Sequence, residues 1–196
     1  MLAHIRPAIV TTLFFTLLLG VGYPLLITGV AAMAFPRQAE GSLLRDASGQ
    51  VIGSRLIAQG FAKAEYLHPR PSAAGTSGYD PTGSSGSNLG PLNPALAQRI
   101  ATDAATLLKE SPAAIPADAL TTSGSGLDPD ISPANAHRQV ARIAAARGLT
   151  EAAVDKIIAA HIVPPALGVL GQPTVNVLQT NLALDAAFAK DHRPPA

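Results

Sequence analysis

The 196-residue chain contains no cysteine and no tryptophan, and only 4% of it is aromatic. Without cysteine there is no disulfide, no thiolate metal site and no cysteine nucleophile, although the compartment stays open. Scarce aromatics beside abundant alanine point to a core of aliphatic side chains carried by small helices. A formal net charge of +1 lacks the basic excess that a nucleic-acid surface needs. The most localised absence is that of charge: no Asp, Glu, Lys or Arg occurs between Arg6 and Arg37.

What fills that gap is a hydrophobic run from Pro7 to Pro36. A helix of about 20 residues crosses the hydrocarbon core of a bilayer, and this run is longer. Its Leu, Ile, Val and Phe residues favour insertion by roughly 4 to 8 kcal/mol on a per-residue scale. A cleaved secretory signal is the competing reading. His4 and Arg6 would form its charged start, and Ala32-Met33-Ala34 fits the small-x-small cleavage rule. A signal's apolar core usually runs about 7–15 residues, however, which favours a retained anchor. Gly20, Gly22, Pro24 and Gly29 interrupt the Leu-rich run, with Tyr23 beside the break. Such residues permit close helix contact and kinks, so they favour packing against other membrane helices. The plainer account is that Gly and Pro are common in spanning helices. The expected organisation is a tail over residues 1–6, a transmembrane helix over 7–36 and a soluble domain over 37–196. Arg6 faces Arg37 and Arg45 across the span, so flanking charge orients it only weakly. The short tail and large following domain point to a domain outside the cytoplasm.

After the span, Ser42–Arg45 and Gln50–Ile57 flank Asp46-Ala47-Ser48-Gly49 and predict a hairpin, covered on both faces near Gly53. Phe61 to Pro94 is rich in Gly, Ser, Pro and Asn, and so long an irregular connection is usually functional or disordered. Its Gly83–Gly90 segment lacks the ending of a phosphate-binding P-loop and the pattern of a hydrolase elbow, which leaves a loop for partner contact. Asn93-Pro94 opens a helix with an apolar stripe of Leu96, Ile100, Ala104, Leu107 and Leu108. Leu120-Thr121-Thr122 fits a strand.

The Ser123–Ile131 loop carries Asp128 and Asp130, and a helix capped by Ser132-Pro133 follows and runs to Arg147-Gly148. The two carboxylates fit either a cation or acid/base pair or, as the better reading, ion pairs with the arginines that follow. The loop lacks the ligand count of a calcium hand. His161 sits on the apolar face of the next helix, which Thr150 caps, and reads as a core or edge histidine. A Gly-rich turn at Leu167–Gln172, a short strand at Thr174–Val177 and a terminal helix bearing Leu178, Leu182, Leu184 and Phe188 complete the chain. Asn176, Gln179 and Asn181 place amides on this apolar element, where they need main-chain or intersubunit partners. The fold class is therefore α+β: one N-terminal transmembrane helix, then one mixed domain with a small sheet and several helices.

These stretches, in order, resemble the C subunit of the bacterial Kdp potassium-transporting P-type ATPase. The resemblance rests on the Pro24-Leu25 span, Gly53–Ile57, Gly86–Pro91, Ser123–Pro133, Gln139–Ala144, Val175–Leu178 and Asn181–Asp185. It implies a non-catalytic, single-pass subunit of the bacterial inner membrane with its domain on the periplasmic side. The implied partners are a channel-like potassium-translocating subunit, an ATP-hydrolysing subunit, a small accessory subunit and the lipid bilayer, with no nucleic acid. Partner-contact candidates are Gly20, Tyr23, Pro24, Asn88, Leu89, Asp128, Asp130 and Arg142. A catalytic-chaperone role, raising the ATP affinity of the hydrolysing subunit, would place Gln172 of Leu167–Gln172 at nucleotide. ATP is cytoplasmic and the chain crosses once, so an assembly or gating role is preferred. No cofactor or metal is assigned to the chain itself, ATP entering only through the complex. A membrane-anchored periplasmic enzyme or binding module using Asp128, Asp130 and His137 is the alternative.

Overall fold

The computed structural model describes residues 2–46 and 48–191, with side chains described no further than residue 187. The chain divides after Ile52 into two compact units. The fold is α+β, as expected from the sequence.

The first unit is dominated by a continuous helix from Ile5 to Ala34, 30 residues that are long and apolar enough to cross a membrane. It consists of α1 (Ile5–Leu17), a π-helical turn (Leu18–Gly22) and α2 (Tyr23–Ala34). Pro24 explains the wide turn, because a proline lacks the amide hydrogen and its ring crowds the carbonyl four residues back. The Tyr23 amide accordingly donates to Leu18 O, five residues back. Phe35 leaves the helical region at φ −137°, as expected of a residue before proline. Pro36–Ala39 forms the single turn α3.

Strands β1 (Leu43–Arg45) and β2 (Val51–Ser54) form the expected two-stranded sheet. In their turn the Asp46 carboxylate accepts the Ser48 amide and hydroxyl and the Gln50 amide. The Ser48 hydroxyl bond is the main reason its carboxyl lies below the usual range. Ala47 lies outside the described residues. The second strand stops short of the predicted Ile57, because Ser54 Oγ and Ser54 O capture the amides of Leu56 and Ile57 in a turn. Gly53 is packed as anticipated: a Cβ there would meet Leu178 Cδ2 at 2.8 Å and collide with the Gln59 side chain.

The second unit contains α4 (Pro94–Glu110), β3 (Asp130–Ile131), α5 (Pro133–Arg138), α6 (Val140–Arg147), α7 (Glu151–Ala160), β4 (Ile162–Val163), β5 (Thr174–Asn176) and α8 (Val177–Asp191). Its sheet has the antiparallel order β3-β5-β4, with Ile131 and Ile162 both opposite Val175. Leu67, Ile131, Ile143, Val154, Ile158, Val175 and Leu184 fill the aliphatic core. Burying a side chain of this kind stabilises the fold by about 1.5–3 kcal/mol. The side chain of Phe188, placed by the sequence on α8, lies outside those described.

Three sequence expectations change. The helix predicted from Pro133 to Arg147 breaks at Gln139, which sits at φ −89°, ψ −6°. Leu120–Thr122 forms no strand, because the Thr121 and Thr122 carbonyls accept the Arg70 guanidinium instead of a ladder. Helix α4 is capped by Asn93 as predicted, yet none of its stripe is fully buried and Leu108 is 54% exposed.

Candidate functional site

Between Ser54 and Pro94 the chain forms neither helix nor strand, yet Leu67 and Ala74 are fully buried. Buried amides and carbonyls need partners, and here side chains from the helices supply them. Asn181, 1% exposed on α8, accepts the Leu67 amide at 2.7 Å and returns its own amide to Leu67 O at 3.0 Å. Gln139, at the break between α5 and α6, makes the same reciprocal pair with His68 at 2.8 and 3.1 Å. Two carboxamides thus act as substitute strand neighbours for adjacent residues of the connection.

Arginines complete the seal. Arg142 donates to Ala64 O, Tyr66 O and Gln139 Oε1, and its Nη1 lies 3.3 Å from His68 Nε2. Burial and then the neighbouring Arg142 charge push the His68 pKa down. Arg147 donates to Glu65 O, pairs with Asp185 at 2.8 Å and lies over the Tyr66 ring at 5.1 Å. Burial, followed by the Asp185 charge, raises the Tyr66 hydroxyl's pKa. Arg138 donates to the Leu107 and Ser111 carbonyls, so it clips the C-terminal end of α4.

The two glycine-rich loops meet. Ser85 donates its amide to Ser125 O, and Ser72 Oγ donates to Gly126 O. Gly126 has φ +68°, and a Cβ there would sit 2.5 Å from Ser85 O, so glycine is required. The Gly83–Gly90 segment therefore spends part of its backbone on the Ser123–Gly126 loop. Asn88 at its far end is exposed, while Leu89 is half-buried.

The residues singled out from the sequence go to separate places. Asp128 pairs with Arg70 at 2.8 Å rather than with a following arginine. The upstream strap brings Arg70 to this carboxylate, whereas Arg138 and Arg142 are consumed on main-chain carbonyls. Asp130 accepts the Asn176 amide at 2.8 Å. His137 Nδ1 lies 2.7 Å from Asp155 Oδ1 on α7, over an open depression that Glu151 also lines. Asp128, Asp130 and His137 thus have three different partners. Among the described residues no group of three His, Asp or Glu side chains is placed to hold a metal ion. His161 bonds Ile157 O, as an edge histidine would. Gln172 is exposed beyond a tongue closed by an Ala166–Leu170 bridge.

Sequence reasoning missed Arg70, Asp118, Gln139 and Arg147. Asp118 accepts the Ser132 amide and hydroxyl and the Asn135 side chain, locking the start of α5. Only the rule that amides on apolar elements need partners pointed toward this arrangement, through Asn176 and Asn181.

A long membrane-type helix joined to a domain of this connectivity can be compared with known families. The model of K+-transporting ATPase, c chain, matches residues 5–186. The chain belongs to the KdpC family. A KdpC subunit of Caulobacter vibrioides is 62% identical over 189 residues, covering 96% of this chain and 95% of its own length. The KdpC subunit of Beijerinckia indica is 55% identical over 198 residues, covering 100% of this chain and 99% of the relative. That of Gemmatimonas aurantiaca is 52% identical over 191 residues, covering 96% of both. The KdpC match begins at the first residue of α1 and ends within α8, so it takes in both units.

Proposed function

We propose that the chain is a non-catalytic, single-pass accessory subunit of an ATP-driven potassium pump, with residues 7–36 in the bacterial inner membrane and residues 37–196 on the periplasmic side. The observation that carries this reading is one membrane-length helix within a full-length KdpC match. Its partners on this reading are the potassium-translocating and ATP-hydrolysing subunits, a small accessory subunit and lipid. The polar side chains support an assembly or gating role rather than chemistry. Asp128, Asp130 and Arg142 are bonded into the scaffold, so their influence on a partner runs through the shape of the connection they hold. Gly20, Tyr23 and Pro24 in the helix, and Asn88 and Leu89 at the loop tip, are the direct contacts.

Gln172 is the residue through which a nucleotide contact would act. Its surroundings favour a protein partner instead: Leu167 is 90% exposed and Val169 80%. No Lys or Arg occurs between Lys156 and Lys190 to pair with phosphates. Purification of the pump with and without the chain tests the accessory role, and a fully active assembly lacking it would overturn the reading. Orientation is tested at Leu92, 95% exposed beside the loop. Leu92→Cys should be labelled by an impermeant reagent in intact cells, and protection until lysis would place the domain in the cytoplasm.

A further inference from the structure

Within Ile5–Ala34 the wide turn changes the hydrogen-bond ladder at one place. The Tyr23 amide donates to Leu18 O and so leaves Leu19 O without the donor an α-helix would supply. In the five-residue register of this turn Pro24 stands where the next donor to Leu19 O would be, and it has no amide hydrogen. A Ser or Thr one turn later can back-bond such carbonyls, but the residues there are Gly22, Tyr23 and Pro24. Tyr23 carries its hydroxyl at the far end of a ring, away from its own helix backbone. The affected carbonyl also lies half-way between Ile5 and Ala34, at the centre of the apolar helix. If that helix spans a bilayer, the centre is its driest part, where a backbone polar group without a partner is costly.

We propose that the Leu18–Gly22 turn is a docking site for one transmembrane helix of another pump subunit, which presents a Ser, Thr, Asn or Gln side chain as donor to Leu19 O. This rests on the membrane-subunit reading above and adds the place and chemistry of the contact. Gly20 and Pro24, four residues apart, share the face on which the freed carbonyl opens. Gly20 has no side chain to block approach, and a Cβ there would meet only Thr16 Cγ2 at 3.9 Å within its own helix. Substitution at Gly20 therefore obstructs a neighbour without obstructing the helix. Ile27, one turn beyond Pro24, continues this face, whereas Leu26 points away from it.

The test uses the assembled pump in native membranes, with a diazirine-bearing aliphatic amino acid at Ile27 or at Leu26. The label at Ile27 is expected to cross-link another subunit several-fold more than the label at Leu26. The captured peptide is expected to contain Ser, Thr, Asn or Gln within one helical turn of the attachment. Replacing that residue by Ala, or making Gly20→Leu, is expected to lower the co-purified fraction of this chain several-fold, while Gly29→Leu leaves it unchanged. Equal cross-linking from Ile27 and Leu26, adducts with lipid or a second copy of this chain alone, or a harmless Gly20→Leu would overturn the site while leaving pump membership intact. Release of the chain from membranes by alkaline extraction would overturn both the site and the reading beneath it.

Discussion

The helix Ile5–Ala34 and the connection from Arg55 to Asn93 reverse the usual association of regularity with satisfied backbone. The helix is the longest element of the chain, yet Pro24 and the wide turn withdraw the donor of Leu19 O. The connection has no helix or strand, yet Leu67 and His68 each have both main-chain groups bonded by a carboxamide. Hydrogen-bond satisfaction, rather than secondary structure, decides what a segment can tolerate. Those partners of the connection lie within its own unit. The helix acquires its missing donor from a neighbour on the proposal made here.

The largest expected effect on this contrast comes from Asn181→Leu. Both main-chain groups of Leu67 would be left buried without partners, at about 1–3 kcal/mol each. Urea unfolding of the detergent-solubilised chain should show a lower midpoint and a loss of about 2–6 kcal/mol in total. An unchanged midpoint would show that the connection does not depend on side-chain partners. Gln139→Leu tests the second pair, where His68 is only half-buried and water can replace part of the loss. We expect a smaller destabilisation of about 1–3 kcal/mol by the same measurement.

Acid gives a third handle. The folded His68 pKa lies below its ordinary value of 6.5, because burial and then Arg142 disfavour the charged ring. The unfolded chain therefore binds the proton first, and stability falls as pH drops through 6.5 toward the folded pKa. His68→Gln should flatten this part of the stability–pH curve, and a curve identical to the parent's would remove His68 as its source. The smallest effect is expected at the pair of His137 and Asp155, whose side chains are 42% and 51% exposed. His137→Ala should cost less than about 1 kcal/mol, and potassium uptake by the pump should be unchanged. A loss of uptake at full expression would revive the reading in which His137 takes part in a site.

Much of the local structure was legible in the chain. Asn93, Ser132 and Thr150 cap the helices they precede, and each bonds a first-turn amide. Gly148 ends α6 at φ +65°, as a left-handed terminator should. The lack of charge from Pro7 to Pro36 announced the long helix, although not the π turn, since a proline permits either a kink or a widened turn. The partners of the two aspartates were not legible. Asp128 is ten residues before Arg138 but 58 from Arg70, and it pairs with Arg70.

By itself, then, the sequence determined features that depend on neighbours within about four residues: caps, terminators, the apolar helix and the alternation that makes short strands. It also determined family membership, because a full-length pattern of motifs is specific in a way one loop is not. Only the tertiary structure decided which distant groups meet, such as Asn181 with Leu67 across 114 residues. A carboxamide can serve any main-chain amide or carbonyl brought within reach, and a guanidinium any carbonyl. Their chemistry therefore does not name a partner, and the packing of the aliphatic core sets which one they find.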